Sequence, residues 1–500
     1  MRGVVATGHP SVSEVAASML REGGNAFDAA IAAGFAAAVA EPMLTSLGGG
    51  GFLLSRSADR REVLFDFFAD TPGRGLPADR LEPHLLPVEV HFSGSDQIFH
   101  VGLGSVAVPG ALAGLLHVQA QCGRLPLEQI VAPAERMARE GVVVNPVQAY
   151  ALELLERIIT LTPAARALFA PAGRPPRAGE RLRNPDLARF LTALPRTGAD
   201  SLYGGILARR IEADMQGGGG LVGAEDLAHY RVVEREPLEI AYRDCRVLTN
   251  PAPSFGGPLI DASLRLLAEV APTMPAWGTP EHLRCLVAVM VEIEAMRERE
   301  LVSAAPFSGE LGGVCASRVR RAMGGTTHIS VADTEGNAAS MTLSNGEGSG
   351  YVAPDTGIML NNMLGEDDLH PSGFHASPAG NRVASMMSPC LVLREDRVEL
   401  IVGSGGSKRI RTALVQAISA VVDHGMDVCA AVESPRLHWD GSCVQLEPGF
   451  DPRAVASLER SWPIHRWEER SLYFGGVQAV DPRGTGAGDP RRGGHGMRVE

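Results

Sequence analysis

The 500-residue chain is long enough for a large buried core, and its 45% apolar and 21% charged residues are those of an ordinary globular protein. A formal net charge of −12, with no basic run and no basic patch interleaved with aromatics, excludes nucleic acid as an expected partner. Lys408 is the one lysine among 46 basic residues; with Gly405 three before it, a Ser-x-x-Lys pair is excluded, as is a phosphate-binding G-x-x-x-x-G-K-[ST] loop.

From the N-terminus, "MRGVVATGHPSVSE" has no apolar stretch followed by a cleavage site. The longest apolar run, Ala29 to Ala40, falls short of the ~20 residues of a membrane span, so no membrane contact is expected and a cytoplasmic location is. Ser11 to Arg21 reads as an amphipathic helix stopped by Gly23 and Gly24. Asn25 then caps a second helix, Ala26 to Ala40, that is apolar nearly all round and is therefore expected beneath a sheet. Gly48 to Gly51 read as a tight passage into a strand rather than an anion cradle. Residues 130 to 240 are mostly helical in pattern, Ser254 to Gly257 form a turn before a helix, and Glu281 to Leu301 is a long helix. Ser303 to Gly325 reads as a small-residue linker. Seven scattered cysteines without a C-x-x-C give neither a disulfide framework nor a zinc site.

After Gly325 the period changes from helix to strand. Thr326 to Ala332 alternates, "DTEGN" turns, and Ala338 to Leu343 returns. Pairing Asp333 with Ala338 places Thr326 opposite Asn345, beside Ser344, within one residue of slippage. Strands at Ser385 to Leu393 and Val398 to Val402 precede a helix from Lys408 to His424. His370 and His375 read as solvated loop residues rather than metal ligands.

A hydroxyl is a poor nucleophile at neutral pH without a base beside it. The chain has no G-x-S-x-G and no H-E-x-x-H. One solution needs no separate base residue. A cut between Gly325 and Thr326 would leave Thr326 with an α-amino group whose ordinary pKa is about 7.7–8.0. Gly325 suits such a cut because it leaves its carbonyl open to the Thr326 hydroxyl.

Several further motifs occur in one order: "HPSVSEVAASMLREGGNAFDAAIAAGFAAAVAEP" with "GGGGFLL", then "GADSLYGG", "EDLAHY" and "PAPSFGGPL", then "TTHISVADTEGNAASMT", "SGYVAPDTGIMLNNM", "SMMSP", "VGSGGSKRI" and "FGGVQAV" with "DPRRGG". With them the chain resembles, nearly end to end, the γ-glutamyltransferase family of N-terminal-nucleophile hydrolases. The resemblance implies an α+β fold, a four-layer αββα sandwich. It would be one domain made by two chains, residues 1–325 and residues 326–500, after self-cleavage. Thr326 would be the nucleophile, Thr327 would support the freed amino group, and Ser344 would assist Thr326. Gly405 and Gly406 would supply N–H groups to the oxyanion. The implied partners are a small-molecule amide, an amine acceptor competing with water, and each cleavage fragment for the other. No metal or organic cofactor is implied.

The substrate pocket departs from the family. Phe68 stands where members that take γ-glutamyl compounds have an arginine that clamps a carboxylate. Ser385 remains of a serine pair and Met386 replaces the second. On the amine side Asn345 is kept, Met363 stands where a polar residue is common, and Glu366 where an aspartate is expected. Arg382 and Arg409 are candidates to replace the missing arginine. Three readings follow: a true γ-glutamyl enzyme; the same fold and nucleophile acting on a short dicarboxylic or apolar acyl amide; and a catalytically silent small-molecule-binding relative. Phe68 favours the second over the first.

Overall fold

The computed structural model describes residues 1–77, 81–92, 95–302, 325–370, 373–374 and 376–500. The expected linker lies, apart from Gly325, outside the described residues, as does His375.

Thirteen strands make two sheets. They are β1 (Gly3–Thr7), β2 (Gly50–Arg56), β3 (Glu62–Phe67), β4 (Val233–Arg235), β5 (Leu238–Tyr242), β6 (Cys245–Thr249), β7 (Thr326–Asp333), β8 (Ala338–Ser344), β9 (Cys390–Arg394), β10 (Arg397–Gly405), β11 (Gly476–Asp481), β12 (Thr485–Gly488) and β13 (His495–Val499). The first sheet runs β13-β1-β7-β8-β2-β3-β4 and the second β12-β11-β10-β9-β6-β5. The pairings within both are antiparallel.

Helices α1 (Pro10–Arg21), α2 (Ala26–Ala40), α3 (Ala111–Cys122) and α4 (Leu127–Glu140) cover the first sheet; α5 (Gly256–Val270), α6 (Pro280–Val302) and α7 (Arg409–Val422) cover the second. The result is the expected αββα sandwich. Helix α2 is its keel. The side chain of Asn25 accepts from the Phe27 and Asp28 amides at 3.0 and 2.9 Å, and Asp28 accepts the Asn25 N–H at 2.9 Å, a reciprocal cap. Every residue from Ala26 to Ala40 is buried, which is what a helix without a polar face requires. Its small side chains let the first sheet approach closely: a Cβ on Gly34 would lie 3.0 Å from the Met341 side chain.

The hairpin β7–β8 sits at the centre of that sheet. Thr327, Ile329 and Val331 alternate toward the helices, while His328 and Ser330 face the second sheet. The observed register is Thr326↔Ser344 and Ala332↔Ala338, one residue from the expected pairing. The turn explains the slip: Asp333 Oδ1 accepts the Glu335 and Asn337 amides at 2.9 and 3.0 Å, and Asp333 N–H closes on Asn337 O at 3.1 Å. Asp333 thereby closes the hairpin turn instead of pairing with Ala338, while on its other side it pairs with Gly3 of β1.

The strand expected from Ser385 begins instead at Cys390. The Ser385 carbonyl is taken by the Phe255 and Gly256 amides and the Ser254 hydroxyl, so this stretch is bonded to a loop rather than to a neighbouring strand. Strand β10 runs on past Val402 to Gly405. The short β1, which the sequence reading did not pick out, pairs on both sides, with β7 and β13.

A polar seam separates the sheets. His328 bonds Thr342 Oγ1 at 2.8 Å and Ser330 Oγ at 3.0 Å, and Ser340 Oγ donates to Val402 O at 3.2 Å. Only glycine fits opposite, since a Cβ on Gly403 would come 2.2 Å from the imidazole. Replacing Gly403 with Ala is therefore expected to push the sheets apart, at a cost of about 1–3 kcal/mol typical of overpacking. Thermal unfolding by calorimetry checks this, and an unchanged midpoint would contradict the close approach.

Candidate active site

The first residue of β7 lies in the middle of the sandwich. Thr326 is 5% exposed, and its Oγ1 donates to Ser344 Oγ at 3.3 Å across the hairpin. Ser344 in turn donates to the Gly325 carbonyl at 2.6 Å and accepts the Gly346 N–H at 3.1 Å. A hydroxyl has one proton and two lone pairs, so Ser344 is saturated. The outcome is a directed chain, Thr326 O–H to Ser344 O–H to the carbonyl of Gly325.

Gly325 is fitted closely. A Cβ there would stand 2.0 Å from Gly346 O and 2.6 Å from Met43 O, so no other residue enters without displacing backbone. Its N–H donates to the carboxylate of Glu347. From the second sheet, the end of β10 comes over the same point. A Cβ on Gly405 would lie 2.2 Å from Thr326 O, and Gly406 turns at φ +129°. Arg492 Nη1 donates to Thr326 O at 3.2 Å. Thr326 and Ser344, from one hairpin, are thus brought together with Gly405 and Gly406 at the end of β10, about 60 residues farther along the chain.

Thr327 points to the opposite face. Its hydroxyl proton goes to Glu41 Oε2 at 2.8 Å, a partner the sequence reading did not assign. Glu41 Oε1 is buried with no hydrogen-bond partner. Burial pushes the Glu41 carboxyl up to about 7, against the pull of the Thr327 hydroxyl and of Arg492. One signal for Glu41 was available. It caps the C-terminus of α2, the end of a helix where the dipole disfavours an anion, which marks it as an acid kept for a purpose. A cavity of about 40 Å³ adjoins it, lined among others by Gly8, Val39, Leu152, Leu472 and Arg492, but by neither Thr326 nor Ser344. His328 is a core residue: burial holds its imidazole down to about 3, hence neutral.

The residues expected to line the acyl pocket divide in two. Phe68, Met363 and Met386 lie buried in one apolar cluster, with the Phe68 ring stacked on Phe52 at 5.5 Å. Ser385 Oγ accepts the Met387 N–H at 3.1 Å. On the polar side, Glu366 lies against Gly346, where a Cβ would come 2.5 Å from its Oε1, and both amide atoms of buried Asn345 lack partners. Glu347, which the sequence reading passed over, joins them: Asn362 Nδ2 donates to its Oε2 at 3.2 Å. Burial raises the Glu347 carboxyl to about 7. Burial, then the charges of Glu347 and Asp368, raise Glu366 well above the usual range.

Neither arginine candidate replaces the missing clamp in this arrangement. Arg382 is spent on Asp66 at 3.4 Å, Asp70 at 3.2 Å and the Tyr230 hydroxyl at 2.7 Å. Arg409 donates through Nε to Tyr473 O at 3.0 Å and lies 4.8 Å over the Tyr473 ring. His370 Nε2 meets Met363 O at 2.9 Å. Among the described residues no group of three or more His, Cys, Asp or Glu is placed to hold a metal ion, and no helix is long and apolar enough to cross a membrane.

Comparison with known proteins gives consistent relatives. A family model described as gamma-glutamyltranspeptidase matches residues 12–306 and 303–499. The "Acylase ACY 1 proenzyme" of Pseudomonas sp. (strain SE83) is 33% identical over 519 residues, covering 97% of this chain and 91% of that one. The "Glutathione hydrolase proenzyme" of Escherichia coli (strain K12) is 31% identical over 537 residues, covering 98% and 90%. Among solved structures, cephalosporin acylase from Bacillus halodurans superposes with a TM-score of 0.85 at 26% identity, covering all of this chain and 96% of that one.

The raised Glu41 carboxyl has a thermodynamic consequence. Its folded pKa of about 7 lies above the ordinary 4.5, so the folded state binds more protons across that window and stability falls as pH rises through it. Glu41→Gln is expected to remove this loss, recovering roughly 1–3 kcal/mol at pH 8 relative to pH 5. Denaturant unfolding of both proteins at the two pH values measures it; parallel losses would mean that Glu41 is not buried as a neutral acid.

Proposed function

The chain belongs to the gamma-glutamyltranspeptidase family and is a hydrolase or acyltransferase of that kind, and from this premise we propose that Thr326 is its nucleophile, first for self-cleavage and then for catalysis. The directed chain from Thr326 through Ser344 to the Gly325 carbonyl carries the reading. Thr326 Oγ adds to the Gly325 carbonyl carbon. Its proton passes to Ser344, whose own proton neutralises the developing oxyanion. Collapse re-forms the C=O, its proton returning through Ser344 to the leaving nitrogen as the Gly325–Thr326 C–N bond breaks, and leaves an ester on Thr326 Oγ with a free α-amino group. Water then hydrolyses the ester and frees the carboxylate of Gly325. Residues 1–325 and 326–500 remain one αββα domain, because β7 pairs with β1 on one side of the hairpin and β8 pairs with β2 on the other.

In the mature protein the α-amino group serves as base for its own hydroxyl. Thr326 Oγ attacks the carbonyl of an amide substrate, the amine departs with a proton, and water or an amine resolves the acyl-enzyme. Gly405 and Gly406 offer backbone N–H groups to the oxyanion, each worth on the order of 10²–10³ in rate. Ser344 assists Thr326 as it does during the cut. Thr327 acts one step removed, tied to Glu41.

For the acyl group the second reading, without its dicarboxylic form, is favoured over γ-glutamyl. A stacked, buried Phe68 offers nothing to a carboxylate, and Arg382 is already paired.

Intact mass tests the nucleophile. The purified wild type is expected as two fragments, the smaller beginning at Thr326, and Thr326→Ala as one uncut chain. Ser344→Ala is expected to slow the cut by about 10²-fold or more. A wild type that stays whole after long incubation would return the chain to the class of silent binding relatives.

A further inference from the structure

In the uncut chain the acyl group presented to Thr326 is Gly325 itself, so the contacts of Gly325 show what the pocket offers an incoming acyl group. Its carbonyl is held by Ser344, and its N–H, on the carbon next to that carbonyl, by the Glu347 carboxylate. Glu347 is 3% exposed. Glu366, partly buried, lies with its Oε1 against Gly346, and the Asn345 amide beside them is unpartnered at both atoms. The third acid, Asp368, is already taken by Lys408 at 3.0 Å and Ser407 Oγ at 2.6 Å. The site therefore holds two acids in excess of the cations bonded to them, and one donor, the Gly325 N–H, that departs with the linker.

We propose that, once Gly325 has left, Glu347 and Glu366 make the acyl pocket of Thr326 a receptor for acyl groups that carry a protonated amine and no carboxylate. This rests on Thr326 being the nucleophile. Two acids already share the site, so a carboxylate there, whether that of the released Gly325 or of a substrate, adds a further buried negative charge and is disfavoured. Desolvation raises both acids' pKa values, with the charge of Arg409 acting on Glu347 but not hydrogen-bonded to it, and an ammonium between the two acids reverses that cost. Phe68, Met363 and Met386 supply an apolar wall for the methylenes leading to the amine. The reaction is hydrolysis or transfer of an aminoacyl group: the amide C–N bond breaks, the Thr326 ester forms and the amine leaves with a proton. Water or a second amine then takes the acyl group.

The test uses self-cleaved wild-type protein at pH 8 and three anilides of one amine, with three methylenes ending in ammonium (4-aminobutyryl), methyl (pentanoyl) or carboxylate (glutaryl). The 4-aminobutyryl anilide is expected to exceed the pentanoyl one in kcat/KM on the order of 100-fold, the penalty for leaving a buried charge unpaired, and to exceed the glutaryl one by more. Glu347→Gln and Glu366→Gln are each expected to reduce the aminobutyryl-to-pentanoyl ratio by about tenfold or more. Should Glu347→Gln fail to mature, the wild-type ratio and Glu366→Gln decide. A glutaryl preference would overturn the proposal and point to Arg409, whose Nη2 is buried without a partner. A pentanoyl rate equal to the aminobutyryl rate, or ratios unmoved in both variants, would overturn it too. Cut protein that hydrolyses none of the three overturns this proposal and leaves the Thr326 assignment standing; uncut protein overturns both.

Discussion

The arrangement around Thr326 depends on Ser344, which has a single proton to give and gives it to the Gly325 carbonyl. Its two lone pairs are occupied by Thr326 and by the Gly346 amide, so the direction of the chain is not free to reverse. The surrounding structure serves that orientation. The hairpin pairs Thr326 with Ser344, the keel helix fixes the hairpin from below, and Gly403 and Gly405 let the second sheet come close enough to cover the site. A side chain at either glycine would meet His328 or the Thr326 carbonyl.

The charges around this centre are organised by burial more than by pairing. Glu41 and Glu347 flank it on opposite faces of the first sheet, and burial draws both toward neutral pH, where proton transfer to and from a carboxyl costs little. Arg492 reaches across the interval: it bonds Thr326 O and holds the Glu41 value below what burial alone would give. Farther out the acids are paired outright, as with Asp368 and Lys408, or Glu447 and Arg491 at 2.5 Å.

Fold and chemistry do not carry the substrate with them. The two relatives compared bear different activities in their names, acylase and glutathione hydrolase, at nearly equal identity to this chain. What distinguishes the acyl pocket is a handful of side chains, namely Phe68, Met363 and Met386 on an apolar wall and Glu347 and Glu366 opposite. Each sits on backbone that the sandwich holds in place whatever the side chain.

Much of this was legible in the residues. Period-two alternation and the "DTEGN" turn located the hairpin, and the unbroken apolar face of Ala26 to Ala40 called for burial under a sheet. Thr326, Ser344, Gly405 and Gly406 stood out by motif. The register was missed by one residue, because the Asp333 side chain, which decides where the ladder ends, acts through hydrogen bonds that a pattern of apolar residues does not contain. Five residues were too few to reveal β1, whose partners lie more than 300 positions away. Glu347 was invisible, and Glu41 gave no signal beyond its place at the C-terminal end of α2: an isolated acid has no period, and its role follows from which atoms it meets. The sequence by itself determined the central hairpin and the buried helix and singled out Thr326 as the proposed nucleophile, because periodicity and local motifs are properties of neighbours in the chain. Only the tertiary structure decided what faces the nucleophile, because hydrogen bonding and desolvation depend on distances between residues that the chain keeps far apart.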